Sequence, residues 1–155
     1  MEIGSLTFAM RGIGMKTEDV LNMMSVLYYP HPEVHTGELV IGDGQLFISP
    51  KCRIDLTGSV TIGDWSMIGE GTTILTHDHY HEGRKPLLLV QEEKGVKWQN
   101  KRIGNDVWLH GCTILYQVTE IPDGVVVGCA SVLTENPGPY EIWAGNPAKK
   151  IGERT

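Results

Sequence analysis

One short segment of this sequence concentrates side chains that can move a proton. Three histidines stand on alternate positions with carboxylates beside them, in the run Thr76-His77-Asp78-His79-Tyr80-His81-Glu82-Gly83. A neutral imidazole can accept a proton from a hydroxyl group near pH 7, because its ordinary pKa lies close to that value. His77 and His79 are therefore candidate general bases, whereas we interpret His81 as structural. Asp78 or Glu82 could orient an imidazole, although a solvated loop carboxylate is the simpler interpretation of each.

The residues on either side of this segment follow a six-residue period. A helix repeats its face every 3.6 residues and a strand every 2, so neither selects a period of six. The period is typical of a parallel β-helix, in which each hexapeptide forms one strand and one turn and three close a triangular coil. Large aliphatic residues are predicted to point into this prism at Leu56, Ile62, Ile68 and Ile74, and again at Ile103, Leu109, Leu115, Ile121, Val127 and Leu133.

The period stops at Ile74 and resumes at Ile103, which predicts an excursion loop over residues 76–102. A loop this long inside a compact domain is usually functional. Its Leu87-Leu88-Leu89-Val90 run is too apolar to lie in water, so it should pack on the coil or on a neighbouring subunit. We predict a single all-β domain over residues 1–155, made of an N-terminal cap (1–38), coils (39–75 and 103–135), the excursion loop, and a C-terminal tail (136–155).

The first 38 residues carry less pattern than the rest. An acidic first turn at Thr17-Glu18-Asp19, followed by spaced apolar residues, predicts a short helix that Pro30 would end. The run Val26-Leu27-Tyr28-Tyr29 would also suit a strand. The repeats supply about four to five coils, at about 18 residues a coil. An isolated solenoid of that length leaves its faces uncovered, so we expect oligomerisation.

Composition narrows the class of protein further. The chain has 155 residues, which suits one domain with a sizeable core. Its net charge is -6 without a basic run, which argues against a nucleic-acid partner. We expect no membrane span and no signal peptide, because no long apolar stretch occurs. An odd number of cysteines on repeat positions predicts free, buried thiols in a reducing cytoplasm, at Cys52, Cys112 and Cys129.

Three stretches resemble the hexapeptide-repeat acyltransferases. They are Ile103-Gly104-Asn105-Asp106-Val107-Trp108, Val127-Gly128-Cys129-Ala130-Ser131-Val132-Leu133-Thr134 and Ala144-Gly145-Asn146-Pro147-Ala148-Lys149. With the histidine-bearing loop, they look most similar to the maltose and galactoside O-acetyltransferases and their polysaccharide-modifying relatives, over residues 39–152. The resemblance implies a left-handed parallel β-helix, an exception to the right-handed crossover rule. It also implies a homotrimer with acetyl-CoA sites between neighbouring prisms, and acetyl transfer to a hydroxyl of a sugar or polysaccharide without a metal.

The same resemblance assigns roles to individual residues. In that branch a Thr and, three residues later, a His open the loop, and Thr76 and His79 match this spacing. His79 is thus the first candidate for the general base and His77 the second, acting without an acyl-enzyme intermediate. The remaining matched positions are Gly111 and Cys129 at the pantetheine arm or thioester of acetyl-CoA, Thr134, Lys149 and Lys150 at its nucleotide end, and Trp108 at the acceptor pocket.

Some positions depart from the family pattern. Small residues of the family are replaced by His110 and Gln117, and the usual Gly-Ala-Gly-Ser run reads Gly128-Cys129-Ala130-Ser131. A basic residue that often follows Thr134 is Glu135, whose charge would oppose a CoA phosphate. Backbone donors survive all these changes, but the predicted CoA slot differs in its side chains.

Other functions remain compatible with the same fold. Leu109-His110-Gly111-Cys112 resembles the second metal-binding segment of γ-class carbonic anhydrases, whose zinc needs three histidines. Position 105, where that family has a partner His, is Asn105. An amino-sugar N-acetyltransferase is the nearest enzymatic variant. A non-catalytic prism used as a scaffold or binding module is the third alternative, because folding alone explains every repeat residue.

Overall fold

Very short strands separated by turns make up most of the computed structural model, which describes residues 9–10, 24–27, 37–49 and 51–155. Before the histidine segment the strands are β1 (Ala9–Met10), β2 (Met24–Leu27), β3 (Leu39–Ile41), β4 (Phe47–Ile48), β5 (Cys52–Asp55), β6 (Val60–Ile62), β7 (Met67–Ile68) and β8 (Thr73–Ile74). The next elements are β9 (His77–His79), helix α1 (Leu87–Lys94) and β10 (Val96–Trp98). The later strands are β11 (Lys101–Ile103), β12 (Trp108–Leu109), β13 (Thr113–Ile114), β14 (Glu120–Ile121), β15 (Val126–Val127), β16 (Val132–Leu133), β17 (Glu141–Gly145) and β18 (Ala148–Glu153).

Three parallel sheets form the walls of a prism. Sheet A has the order β1-β3-β6-β11-β14, sheet B the order β16-β13-β8-β5-β2, and sheet C the order β18-β17-β15-β12-β7-β4, in which β18 alone runs antiparallel. Consecutive strands visit sheets A, C and B in turn, so each strand hydrogen-bonds to the strand one coil away. The structure is mostly β with parallel sheets, as predicted, and contains one helix in its described residues.

Stacked aliphatic side chains fill the interior of the prism. On sheet A the inward column is Ile41, Ile62, Ile103 and Ile121, which pair in register. Each of these is almost completely buried. Burial of one such side chain contributes about 1.5 to 3 kcal/mol, so the columns are the main source of stability. The corresponding inward residues are Ile68, Leu109, Val127 and Trp143 on sheet C, and Ile54, Ile74, Ile114 and Leu133 on sheet B.

The predicted inward residues are buried with one exception. Ile114 pairs with Ile74 and is fully buried, whereas Leu115 lies at the following turn and is half-buried. A turn follows at once, because the Val118 N–H donates to the Leu115 carbonyl oxygen at 3.1 Å. The six-residue period therefore slips by one position at this turn and recovers at Ile121.

The interruption of the period has secondary structure of its own. Strands β9 and β10 form an antiparallel ribbon outside the three sheets, with α1 in the connection between them. The coil resumes at Lys101, two residues earlier than predicted, and Ile103 pairs directly with Ile62 across the insertion. On α1, Val90 is buried, while the three preceding leucines are exposed on the surface of the single chain, at Leu87, Leu88 and Leu89.

The two ends of the chain differ from their sequence predictions. Met24–Leu27 is a strand paired with β5, so the helical interpretation is wrong there and the alternative strand is correct at Val26-Leu27. Residues 17–23, where that helix would begin, lie outside the described residues. The C-terminal tail extends sheet C with the antiparallel pair β17 and β18. No helix in the described ranges is both long and apolar enough to cross a membrane.

Candidate active site

Two of the three loop histidines lie side by side on one face of the β9–β10 ribbon. His77 and His79 are alternate residues of β9, so their side chains project from the same face. Their rings meet edge to face, with centroids 5.3 Å apart and planes at 86°. The ribbon leaves the prism directly after β8, which places this pair beside the carboxyl end of sheet B.

A buried carboxylate anchors His77. Asp55 ends β5, one coil away, and only 1% of it is exposed. Its Oδ2 accepts hydrogen bonds from the backbone N–H groups of Thr76 at 2.8 Å and His77 at 2.9 Å, and lies 2.5 Å from His77 Nδ1. Its Oδ1 accepts from the backbone N–H and the hydroxyl of Thr57, at 2.9 and 2.8 Å. Five hydrogen bonds therefore hold the Asp55 carboxylate in one orientation.

These contacts determine the protonation of the pair. Burial opposes ionisation of Asp55, but hydrogen bonds from His77, Thr57 and Thr76 outweigh it and hold the pKa of Asp55 well below its usual range. The hydrogen bond to Asp55 raises the pKa of His77, and burial of the imidazole opposes this only in part. Because ionised Asp55 can only accept, Nδ1 of His77 carries a proton. In neutral His77 the basic nitrogen is therefore Nε2.

Thr76, which begins the predicted Thr-x-x-His motif, is fully buried and structural. Its hydroxyl donates to the Asp55 carbonyl oxygen at 3.0 Å and accepts from the Gly58 N–H at 2.9 Å. These bonds fasten the start of the ribbon to the coil that carries Asp55. Thr76 thus positions His77.

His79, the first candidate from the sequence, has a different environment. It is exposed, and its Nδ1 lies 2.5 Å from Oε1 of Gln91 on α1. His81 is also exposed, and its Nδ1 lies 3.3 Å from the His79 carbonyl oxygen. A neutral amide does not stabilise an imidazolium as a carboxylate does. Of the two candidates from the sequence, only His77 is held by a buried carboxylate among the described residues.

The two carboxylates proposed from the sequence to orient an imidazole have other partners. Oδ1 of Asp78 accepts from the backbone N–H of His79 at 2.8 Å. Glu82 pairs with Lys97 at 3.0 Å, and this hydrogen bond lowers the pKa of Glu82 to about 2. Asp55 holds an imidazole instead, and the sequence reasoning did not single it out.

A buried lysine supports the same corner of the prism. Lys101 is 4% exposed and stands opposite Val60 of sheet A, at a position that a repeat normally gives to an apolar residue. Its ammonium donates to the carbonyl oxygens of Leu115 at 2.8 Å and Tyr116 at 3.0 Å, and to that of Val118. Burial lowers its pKa to about 8, against the opposing charge of Asp55. Lys101 therefore holds the turn at which the period slips.

The predicted thioester-binding residues lie at a different corner. Gly111 precedes β13 and Cys129 precedes β16, so both lie at the amino end of sheet B. Gly111 has a φ of +58°, and its carbonyl oxygen accepts from the Ala130 N–H at 3.0 Å. A Cβ on Gly111 would lie 2.8 Å from the Glu70 carbonyl oxygen and 3.8 Å from Cys129 Sγ. Cys129 is exposed, so the prediction of a buried thiol is wrong there, whereas Cys52 and Cys112 are buried.

The residues predicted to hold the nucleotide end are paired with carboxylates. Lys149 lies 3.2 Å from Glu135, the residue whose charge opposes a phosphate. Lys150 lies 2.9 Å from Glu141 and also contacts Glu153. Thr134 follows β16 at the carboxyl end of sheet B, away from Cys129. The ion pair with Glu135 thus brings Lys149 to the residue next to Thr134, and both lysines are held by carboxylates in the single chain.

Trp108, predicted to line the acceptor pocket, lies on the outer surface of sheet C. Its indole stacks on the His110 ring, with centroids 4.9 Å apart and planes at 22°. Phe47 and Met67 stand on the neighbouring strands of the sheet in the same row. All three apolar side chains are exposed, so sheet C presents an apolar outer face.

One chain does not bring the histidines and the thioester residues together. His77 follows the carboxyl end of a sheet B strand, whereas Gly111 and Cys129 precede the amino ends of two others. Ile74 pairs with Ile114, and His77 lies three residues after this pair while Gly111 lies three residues before it. At about 3.3 Å a residue, the two positions are separated by roughly 15 to 20 Å. In the single chain the two corners are therefore separate.

Nothing in the described part of the chain resembles a zinc site. Across those residues, no three His, Cys, Asp or Glu side chains are placed to hold one metal ion. Asn105, where the carbonic anhydrase alternative would need a ligand, accepts from the Asp64 N–H at 2.9 Å and donates its own N–H to Asp123 at 2.9 Å. His110 stacks on Trp108. This geometry gives the metalloenzyme alternative no support.

The prism of short parallel strands is consistent with the fold of hexapeptide-repeat acetyltransferases, and comparison with known proteins finds relatives of that class. The chain is 32% identical to the chloramphenicol acetyltransferase of Klebsiella aerogenes over 113 residues, which cover 64% of this chain and 54% of that protein. It is 31% identical over 98 residues to the galactoside O-acetyltransferase of Escherichia coli (strain K12), covering 61% of this chain and 44% of that protein.

A structural relative is a maltose O-acetyltransferase from Clostridium difficile 630, with a TM-score of 0.62, 25% identity, and coverage of 74% of this chain and 58% of that chain. No family model matches the chain. The chain spans about half the length of the chloramphenicol acetyltransferases it matches, 54% in the example above. Its homologues and structural neighbours are hexapeptide-repeat acetyltransferases, so the predicted resemblance is confirmed.

Proposed function

We propose that the protein is an acetyl-CoA-dependent O-acetyltransferase that acylates a hydroxyl group of a sugar or polysaccharide, with His77 as general base. The pairing of His77 with buried Asp55 is the observation that carries this proposal. The relatives named as galactoside and maltose O-acetyltransferases support the reaction class. A structural neighbour described as a galactoside acetyltransferase in complex with coenzyme A supports the donor.

The reaction follows from the orientation of the imidazole. Nε2 of neutral His77 removes the proton of the acceptor hydroxyl as its oxygen attacks the thioester carbonyl carbon. Asp55 stabilises the imidazolium that forms, through the bond to Nδ1. Collapse of the tetrahedral intermediate breaks the carbon–sulfur bond, and the imidazolium returns the proton to the leaving thiolate. The products are the acetyl ester and CoA, without an acyl-enzyme and without a metal.

The separation of the two corners supports an oligomer. We infer a homotrimer of left-handed prisms in which the excursion carrying His77 faces the amino end of sheet B in the next copy. Gly111 and Cys129 of that copy would then border the thioester. The apolar outer face of sheet C and the exposed leucines of α1 offer surfaces that such an assembly would cover. Free thiols and the need for acetyl-CoA fit a cytoplasmic location.

The experiment is release of the CoA thiol with a panel of acceptors that includes maltose, methyl galactosides and chloramphenicol. We expect His77→Ala to lower kcat by about 10²- to 10⁴-fold, the range for loss of a general base. His79→Ala is the matched variant on the same ribbon face, and its kcat should fall much less. The reverse ranking would assign the base to His79. A folded protein that binds no CoA by calorimetry would instead be a non-catalytic prism.

A further inference from the structure

The histidine face of the ribbon carries a tryptophan directly opposite His77. Trp98 of β10 pairs with His77 of β9, and Val96 pairs with His79. The Gln99 N–H donates to the Thr76 carbonyl oxygen at 2.9 Å, which makes Thr76 and Gln99 a hydrogen-bonded pair. Because the two pair types alternate in an antiparallel ribbon, His77 and Trp98 form the non-hydrogen-bonded pair, in which side chains lie closest.

The ribbon separates apolar from charged side chains. Asp78 pairs with Lys97, and both project from the face opposite the histidines. The ammonium group of Lys97 also forms an ion pair with Glu82 and lies 4.8 Å from the centre of the Tyr80 ring. The histidine face of β9 and β10 therefore presents the imidazoles of His77 and His79, the isopropyl group of Val96 and the indole of Trp98, and none of its side chains is a lysine, arginine, aspartate or glutamate. Trp98 is 40% exposed.

We propose that Trp98 is the acceptor platform, against which a neutral pyranose ring lays its apolar C–H face while one hydroxyl reaches Nε2 of His77. This inference rests on the proposed function and adds a residue and a substrate class to it. An indole face suits a ring that has one apolar side and a polar rim. A sugar carboxylate would find no lysine or arginine on this face of β9 and β10, and the Asp55 carboxylate lies against His77. The geometry thus favours neutral over acidic sugars.

The test compares acceptor kinetics of Trp98→Ala and Trp98→Phe, with methyl glycosides of galactose, glucose and mannose as acceptors. We expect Trp98→Ala to raise the acceptor KM at least tenfold, with kcat and the KM for acetyl-CoA changed less than threefold. Trp98→Phe should restore most of the acceptor KM. Trp65→Ala is the control, since Trp65 is an exposed tryptophan on a turn of the coil. An unchanged acceptor KM, or a change confined to acetyl-CoA KM or to the sedimentation coefficient, would refute the platform.

A binding measurement separates this inference from the reaction itself. Saturation-transfer NMR with the same methyl glycosides reports sugar contact whether or not any acetyl group moves. We expect transfer to the C–H protons of one sugar face, lost in Trp98→Ala and retained in His77→Ala. Preferential binding of N-acetylneuraminic acid, or transfer that persists in Trp98→Ala, would overturn the proposal. Sugar contact without acetyl transfer in any condition would leave Trp98 supported and the proposed enzyme refuted.

Discussion

The two ends of the sheet B strands are built in different ways. At the carboxyl end, Asp55, Thr57 and Thr76 are buried and joined by hydrogen bonds that fix His77. At the amino end, Gly111 offers backbone in a left-handed conformation and Cys129 is exposed. The geometry of the carboxyl end is set by the identity of its side chains, whereas the geometry of the amino end is set by the conformation of its backbone. Three departures from the family pattern, His110, Cys129 and Ala130, precede sheet B strands at the amino end, whereas Gln117 and Glu135 follow them at the carboxyl end.

The largest effect should come from breaking the side-chain network. Asp55→Asn removes the charge that stabilises the His77 imidazolium and replaces one acceptor oxygen by a donor. We expect kcat to fall by at least about 100-fold. The free energy of unfolding should fall by about 3 kcal/mol, which is the lower end of the range for breaking a buried ion pair, because His77 is partly exposed. Urea titrations at pH 7.5 and initial rates measure both. Asp78→Asn is the control and should change stability by less than about 0.5 kcal/mol; equal effects of the two variants would contradict the assigned role.

Asp55 also shows what the sequence could and could not predict. The six-residue period correctly predicted the parallel coil and nearly all inward aliphatic residues, because those depend on local spacing alone. Ile54 pairs with Ile74, so stacking of coils already places Asp55 beneath the start of the histidine segment. A carboxylate between Ile54 and Leu56 was the available signal. This signal becomes visible only when each repeat is aligned with the one below it, because the contact is between coils.

Other features had no signal of this kind. The pairing of Trp98 with His77 lies inside an insertion without a period, so its register depends on a ribbon that only three-dimensional structure reveals. The slip from Leu115 to Ile114 depends on a turn held by Lys101 from the preceding coil. Both are contacts between residues well separated along the chain, and hydrophobic periodicity does not encode such contacts.

The pH dependence of the reaction sharpens the contrast between the two corners. The base must be neutral, and the hydrogen bond to Asp55 raises the pKa of His77, so kcat/KM should rise with pH through a midpoint above the usual value of about 6.5. In Asp55→Asn the hydrogen-bonded charge is lost, and the midpoint should move to lower pH while the plateau falls. Initial rates from pH 5 to 9 measure both profiles. A midpoint that stays unchanged in the variant would exclude His77 as the titrating base.

The backbone of the amino end can be tested with a smaller change. Gly111→Ala places a Cβ 2.8 Å from the Glu70 carbonyl oxygen and requires alanine at a φ of +58°. We expect a loss of about 2 kcal/mol in unfolding free energy, with a raised KM for acetyl-CoA. Gly71→Ala is the control, because its φ is +77° and a Cβ there meets nothing within 4 Å. Gly71→Ala should lower the free energy of unfolding by only about 1 kcal/mol, which is the cost of the left-handed backbone conformation. Equal losses in the two variants would show that the close approach at Gly111 is unimportant.

The smallest effect should come from the exposed thiol at the same corner. Cys129→Ala keeps the backbone, so the KM for acetyl-CoA should change less than about threefold if backbone groups hold the donor. In the unmodified protein, Cys129 should react with iodoacetamide long before the other thiols, because Cys52 and Cys112 are buried and burial raises the pKa of Cys112 to about 12. Saturating CoA should slow this labelling, measured by mass spectrometry of the peptides. The opposite result would be labelling that CoA does not slow, combined with a large change in the KM for acetyl-CoA in Cys129→Ala. The Cys129 side chain would then shape the donor site from a position that CoA does not cover. The amino end would in that case depend on side-chain identity, as the carboxyl end does.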